Sequence, residues 1–185
     1  MLRKLILGAG VIGWSWLHAG FSLALPNNLL IGDMAHISTD PVSAAPGDIK
    51  FINASGEINT LEDFQGSVVV VNLWATWCAP CRKEMPDLDA LQRDYSDRGL
   101  VVLALNEDRA SPNRGIEFLQ EIDAINLSFY QDYKRSAMAA LGVRGLPATV
   151  IFDQDGEAVG RLMGPADWNG PYARAIFDYL LDQRR

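Results

Sequence analysis

Histidine is nearly absent from this chain. Its two copies, His18 and His36, both precede the region where regular hydrophobic patterning begins. The patterned region therefore cannot build a Ser-His-Asp triad, a Cys-His nucleophile pair or a zinc site of mixed His and Cys ligands, since each needs an imidazole. Cysteine is as scarce, and the two copies, Cys78 and Cys81, stand three positions apart as the only specialised nucleophile or soft ligand on offer. Basic residues are outnumbered, 16 Lys and Arg against 23 Asp and Glu, for a net charge of -7. Such a surface repels phosphate backbones, so nucleic acid is not an expected partner. There is no internal repeat and no low-complexity tract. At 49% hydrophobic and 21% charged residues, the composition excludes wholesale disorder and leaves one domain of common size with a short segment for targeting or tethering.

That segment is at the start. Arg3 and Lys4 precede a stretch from Leu5 to Leu25 with no Asp, Glu, Lys or Arg. It is long enough to span a bilayer at about 20 residues. It also has the charge, apolar run and small-residue site, Ser22-Leu23-Ala24, of an export signal. Residues 1–25 are thus either a retained membrane anchor, reaching the membrane through residues 5–25, or a cleaved signal peptide. No Lys or Arg follows Lys4 until Lys50, so the positive-inside bias sends the remainder across the membrane. Residues 26–47, with Pro26, Pro41, Pro46 and Gly47 and no clear period, are expected to be a linker, and 48–185 the folded domain.

Within that domain, Ile49–Ile52 and the turn residues Asn53–Gly56 predict a small hairpin or strand. Val68 to Trp74, interrupted only by Asn72, predicts a central strand covered on both faces. Met85, Leu88, Leu91 and Tyr95 recur with helical spacing after Cys81. Leu100–Leu105 predicts a second buried strand, Gly115–Ile122 a helix, Leu127–Tyr130 a strand and Tyr133–Leu141 a helix closed by Gly142. Ala148–Phe152 and Glu157–Leu162 flank a turn and predict a hairpin, and Ala166–Leu181 predicts a terminal helix. Strands alternating with helices imply βαβ units, and the late hairpin adds antiparallel strands, so the fold class is α/β with a mixed central sheet flanked by helices.

The cysteine pair falls at a strand-to-helix junction. A disulfide needs Cβ atoms about 4 Å apart, and positions i and i+3 on a helix lie roughly 5 to 6 Å apart, so the first helical turn nearly preforms the bridge. The free amides and positive end of that helix lower the pKa of the first thiol, and the thiolate is the nucleophile. Cys78 is therefore the expected attacking residue and Cys81, one turn deeper, the resolving one. Trp77 would flank the exposed sulfur, and Ala79 and Pro80 shape the turn. The bland alternatives are a stabilising bridge or half a zinc site. A bridge closing so short a loop constrains the unfolded chain little, and a zinc site lacks two further ligands.

Trp74-Ala75-Thr76-Trp77-Cys78-Ala79-Pro80-Cys81-Arg82-Lys83-Glu84-Met85-Pro86 resembles the active-site segment of thioredoxin-fold proteins, in particular the TlpA-like branch with ResA and CcmG. The resemblance extends from about residue 48 to the C-terminus, and Gly164-Pro165-Ala166-Asp167-Trp168 is similar to a late segment of that branch. It implies a thioredoxin-like fold and a cis bond before Pro147 in Gly145-Leu146-Pro147-Ala148-Thr149, with Pro147 contacting substrate and Leu146 offering backbone groups to a bound peptide. The strand acid of thioredoxin is replaced by Asn72. Glu84 matches a glutamate of the ResA branch placed to tune the thiols, against the plainer reading of a solvated helix carboxylate. Glu107, following the second buried strand, is a second candidate for pKa tuning, against loop charge.

The function implied is an extracytoplasmic thiol-disulfide oxidoreductase, periplasmic or anchored facing the periplasm. It would reduce disulfides of exported proteins, as in cytochrome c maturation or copper-site assembly of cytochrome oxidase. A transmembrane thiol relay would rereduce Cys78–Cys81, and no metal or cofactor beyond that redox-active disulfide is expected. The competing readings are a copper-binding assembly protein on the same fold and a disulfide oxidant.

Overall fold

The computed structural model describes residues 24–42, 44–109 and 112–183. The anchor or signal expected over residues 1–25 lies outside them except for Ala24 and Leu25. No helix among the described residues is long and apolar enough to cross a membrane.

Seven strands form one sheet. They are β1 (Lys50–Asn53), β2 (Ile58–Thr60), β3 (Val68–Trp74), β4 (Leu100–Asn106), β5 (Tyr130–Asp132), β6 (Ala148–Phe152) and β7 (Ala158–Met163), in the order β2-β1-β5-β4-β3-β6-β7. β4 is parallel to β3 and β5, and the other pairs are antiparallel, which gives the mixed sheet expected. Successive side chains of a strand point to opposite faces. On β3 this puts Val68, Val70 and Trp74 into one core and Val69, Val71 and Leu73 into the other. The first core is covered by α1 (Ala79–Tyr95), α2 (Asn113–Glu121) and α4 (Pro171–Asp182), the second by α3 (Ser136–Ala140). Every residue of β3 is buried, Asn72 included, as expected of an apolar run covered on both faces.

α1 is held to the sheet by Met85, Leu88 and Leu91, each fully buried and each contributing about 1.5–3 kcal/mol by leaving water. Leu88→Ala would cost ~2–5 kcal/mol. This packing fixes the helix start, and with it the cysteines, against the end of β3.

Four expectations are corrected. The strand expected at Leu127–Tyr130 forms instead at Tyr130–Asp132, where Tyr130 and Gln131 find ladder partners in Leu105 and Asn106; Leu127 and Phe129 serve the core from a loop. The helix expected over Tyr133–Leu141 is broken by left-handed Lys134 and Arg135 (φ 54° and 61°) and runs only from Ser136 to Ala140. The terminal helix starts at Pro171, not Ala166. The amides of Ala166 and Asp167 are taken by Glu84 and Asp33, and Pro171 suits a first turn because its missing N–H has no helical partner there. Finally, the segment expected as a linker packs on the domain. Met34 and Ile37 enter the first core, and Ser38 exchanges backbone hydrogen bonds with Arg161 beside β7. Its apolar residues recur without a helical or strand period because short 3-10 turns carry them.

Candidate functional site

Cys78 caps the N-terminus of α1. Its backbone is extended (φ -89°, ψ 100°), its carbonyl accepts the first helical hydrogen bond from the Arg82 amide, and its sulfur accepts from the Cys81 amide at 3.3 Å. Pro80 occupies the first turn, where it costs no hydrogen bond. The two cysteines form a disulfide with Cα atoms 5.3 Å apart. Cys78 is 6% exposed and Cys81 0%, so an incoming group meets Cys78 first. Trp77, 69% exposed, stands beside it as a bare aromatic face. Leu146–Pro147 is a cis peptide. Because Ala148 pairs with Leu73, Pro147 lies at the end of β3 from which the cysteine loop departs.

Glu84 is not a solvated helix carboxylate; only 2% of it is exposed. One helical turn past Cys81, it turns into the first core. One oxygen accepts from Asn72 Nδ2 at 2.8 Å, and the other from Trp168 Nε1 at 3.2 Å and the Ala166 amide at 3.4 Å. Asn72 also donates to Thr149 Oγ1 at 3.0 Å. Burial pushes the Glu84 carboxyl up to about 7, against the opposing pull of these three donors. The strand position that holds an acid in thioredoxin thus holds an amide here. That amide grips an acid delivered from α1.

On the other flank, Glu107 follows β4, its amide bonded to the Trp74 carbonyl at 2.8 Å. It is 4% exposed, and neither carboxyl oxygen has a hydrogen-bond partner among the described residues. Burial first and the charge of Asp132 second push it up to about 8, with Arg135 opposing. The next residue, Asp108, accepts from the Thr76 amide at 3.2 Å and from Asn106 Nδ2 at 3.1 Å, tying the loop before Cys78 to the end of β4.

The candidate residues gather at one edge of the sheet but in two recesses. Glu107 and Trp77 line a cleft of about 540 Å³; Glu84 and Pro80 line another of about 400 Å³. Sequence reasoning missed Thr149 and the part played by Trp168, although the segment holding Trp168 stood out for its resemblance. It also missed Arg109, Arg114 and Arg135 in the first cleft, which no local pattern marks, since three separate segments supply them.

Among curated proteins, the chain is 36% identical over 110 residues to the thioredoxin-like protein YneN of Bacillus subtilis, covering 59% of this chain and 64% of that one. It is 32% identical over 115 residues to the thiol-disulfide oxidoreductase ResA of Geobacillus thermodenitrificans, covering 62% and 64%. The chain therefore spans a little under two thirds of the length of these relatives. Among solved structures, a Chlorobium tepidum protein assigned as thiol:disulfide interchange protein DsbE superposes with a TM-score of 0.67 at 28% identity, over 78% of this chain and 99% of that one. That superposition shows the thioredoxin-like fold, and the ResA and DsbE relatives agree with the TlpA-like resemblance of residues 74–86. Residues 42–159 match the family described as AhpC/TSA. Since that stretch runs from before β1 into β7 and carries the cysteine pair, the chain belongs to the AhpC/TSA family.

Proposed function

We propose that the chain is an extracytoplasmic thiol-disulfide oxidoreductase that reduces disulfides in exported proteins. The observation that carries this reading is the Cys78–Cys81 disulfide at the start of α1, with Cys78 retaining slight exposure and Cys81 none. Relatives named thiol-disulfide oxidoreductase support it, and so does the basic start followed by the uncharged run from Leu5 to Leu25, which favours export.

The structure holds the oxidised form. In the reduced form, the Cys78 thiolate, favoured by the N-terminus of α1, attacks one sulfur of a partner disulfide. An S–S bond forms between Cys78 and the partner, and the partner's other sulfur leaves as a thiolate. Cys81 then gives up its proton and attacks Cys78; the mixed disulfide breaks, the second partner thiolate departs, and two electrons have passed to the partner. Glu84, at about 7, is partly ionised at neutral pH and suits the role of tuning that proton loss. Trp77, Pro80, Leu146 and Pro147 would form the surface against which the partner's chain lies. A dithiol relay across the membrane would restore the pair, with no other cofactor. Cytochrome c or copper-site maturation would supply such partners.

Measuring the reduction potential of the pair tests the direction. A value near that of thioredoxin, about -270 mV, is expected; one near about -120 mV, as in strong oxidants, would contradict a reductase.

A further inference from the structure

The cleft beside Cys78 is charged against the sign of the chain. Arg109, Arg114 and Arg135 line it together with Thr76, Trp77, Glu107 and Asp108, three cations against one ionised carboxylate, on a protein whose net charge is -7. All three arginines are exposed, and among the described residues none has a carboxylate within 4.0 Å. On the α4 side, by contrast, Arg98, in the turn after α1, pairs with Asp178 and Asp182, and Arg174 of α4 with Asp94 of α1.

The acids near the cleft are already engaged or neutral. Asp108 is held by the Thr76 amide and Asn106. Asp132 accepts the amides of Ala137 and Met138, each at 2.9 Å. Glu107, raised to about 8 by burial and by the neighbouring Asp132 carboxylate, is mostly protonated at neutral pH. The other recess has the opposite character, with Asp33, Asp87 and Asp167 around Lys83. The two flanks of the cysteine pair thus differ in sign.

Resting on the exchange reading above, we infer that the Arg109–Arg114–Arg135 cleft docks an acidic segment of the partner protein next to the disulfide being exchanged. Trp77 would cover the apolar part of that segment, and the guanidiniums would pair with its carboxylates. The selected substrate class is therefore a disulfide flanked by Asp or Glu.

The test uses the reduced full chain in non-ionic detergent and three bridged peptides that share one disulfide loop but carry Glu, Ser or Lys flanks. Second-order exchange rates are measured at low and high salt. The overall negative charge alone would make the Lys peptide fastest and would make the Glu peptide speed up as salt rises. The cleft predicts the reverse: Glu flanks about tenfold faster than Lys flanks at low salt, with the preference fading as screening shortens from about 30 Å at 0.01 M to about 8 Å at 0.15 M. Replacing Arg109, Arg114 and Arg135 by Gln should remove the preference. Arg114→Glu alone should reduce it, and far-UV circular dichroism checks that both variants fold. Equal rates, a Lys preference, or a Glu preference surviving in the triple variant would overturn the inference while leaving exchange itself in place. Failure to react with any of the three peptides would contradict the exchange reading as well.

Discussion

Glu84 and Glu107 lie on opposite flanks of the cysteine pair, one on α1 and the other at the exit of β4, and both are almost fully withdrawn from water. Their surroundings differ in one respect. Glu84 receives three donors, from Asn72, Trp168 and Ala166; Glu107 receives none among the described residues and has Asp132 nearby. Burial raises both carboxyls, but the donated hydrogen bonds hold Glu84 at about 7 while Glu107 rises to about 8. At neutral pH the first is divided between its forms and the second is mostly neutral. Burial is the largest cause at both sites; the donors around Glu84 oppose it, whereas the charge of Asp132 adds to it at Glu107.

The largest separation between the two sites should come from deleting each carboxyl. Glu84→Ala strands three donors in the core and should cost ~3–5 kcal/mol, because each buried group left unpaired costs about 1–3 kcal/mol. Glu107→Leu removes an unpartnered buried acid and should be neutral or stabilising. Urea denaturation of both variants checks the contrast, and equal losses would break it.

Next in size is the pH dependence of stability. Both groups keep protons in the folded state that the unfolded chain, near 4.5, has released. Between about 4.5 and 8 the folded form therefore binds more protons. The stability present below 4.5 is lost as pH rises through about 7 for Glu84 and about 8 for Glu107. A tenfold change in proton affinity is worth ~1.4 kcal/mol, so Glu107 accounts for a loss on the order of a few kcal/mol across this window. Thermal melts from pH 4 to 9 should show the decline, and Glu107→Gln should flatten its upper part.

A smaller effect concerns the Asn72 link. Asn72→Leu removes the donor 2.8 Å from Glu84 and should raise that carboxyl further, moving the pH midpoint of the exchange rate up by on the order of one unit, since a lost donor disfavours the charged form. An unmoved midpoint would separate Glu84 from the thiol chemistry. Smallest of all, Thr149→Val removes the acceptor at 3.0 Å from Asn72 and should cost about 0.5–1.5 kcal/mol.

The sequence shows some of this directly. The run Val68–Trp74, the pair Cys78 and Cys81, and the spacing of Met85, Leu88 and Leu91 are local features with one physical solution, and strand, junction and helix follow from them. The cis bond before Pro147 was legible only through resemblance, because nothing in Gly145–Thr149 distinguishes it from an ordinary turn. The partners of Glu84 were not legible. Asn72, Trp168 and Ala166 lie at 12, 84 and 82 residues' separation, and only the folded sheet and the loop before α4 bring them together. The helix expected at Tyr133 failed for a related reason: the left-handed turn at Lys134 and Arg135 puts Asp132 onto the amides of Ala137 and Met138, an arrangement that apolar periodicity does not record.

The central claim is that Cys78 attacks and Cys81 resolves. Its most direct test is to mix reduced Cys81→Ser and Cys78→Ser chains separately with a bridged peptide and weigh the intact products. Cys81→Ser should accumulate a covalent adduct of one chain and one peptide through Cys78, released by reductant, while Cys78→Ser, its remaining thiol sealed from solvent, should stay free. An adduct on Cys78→Ser with none on Cys81→Ser would contradict the account.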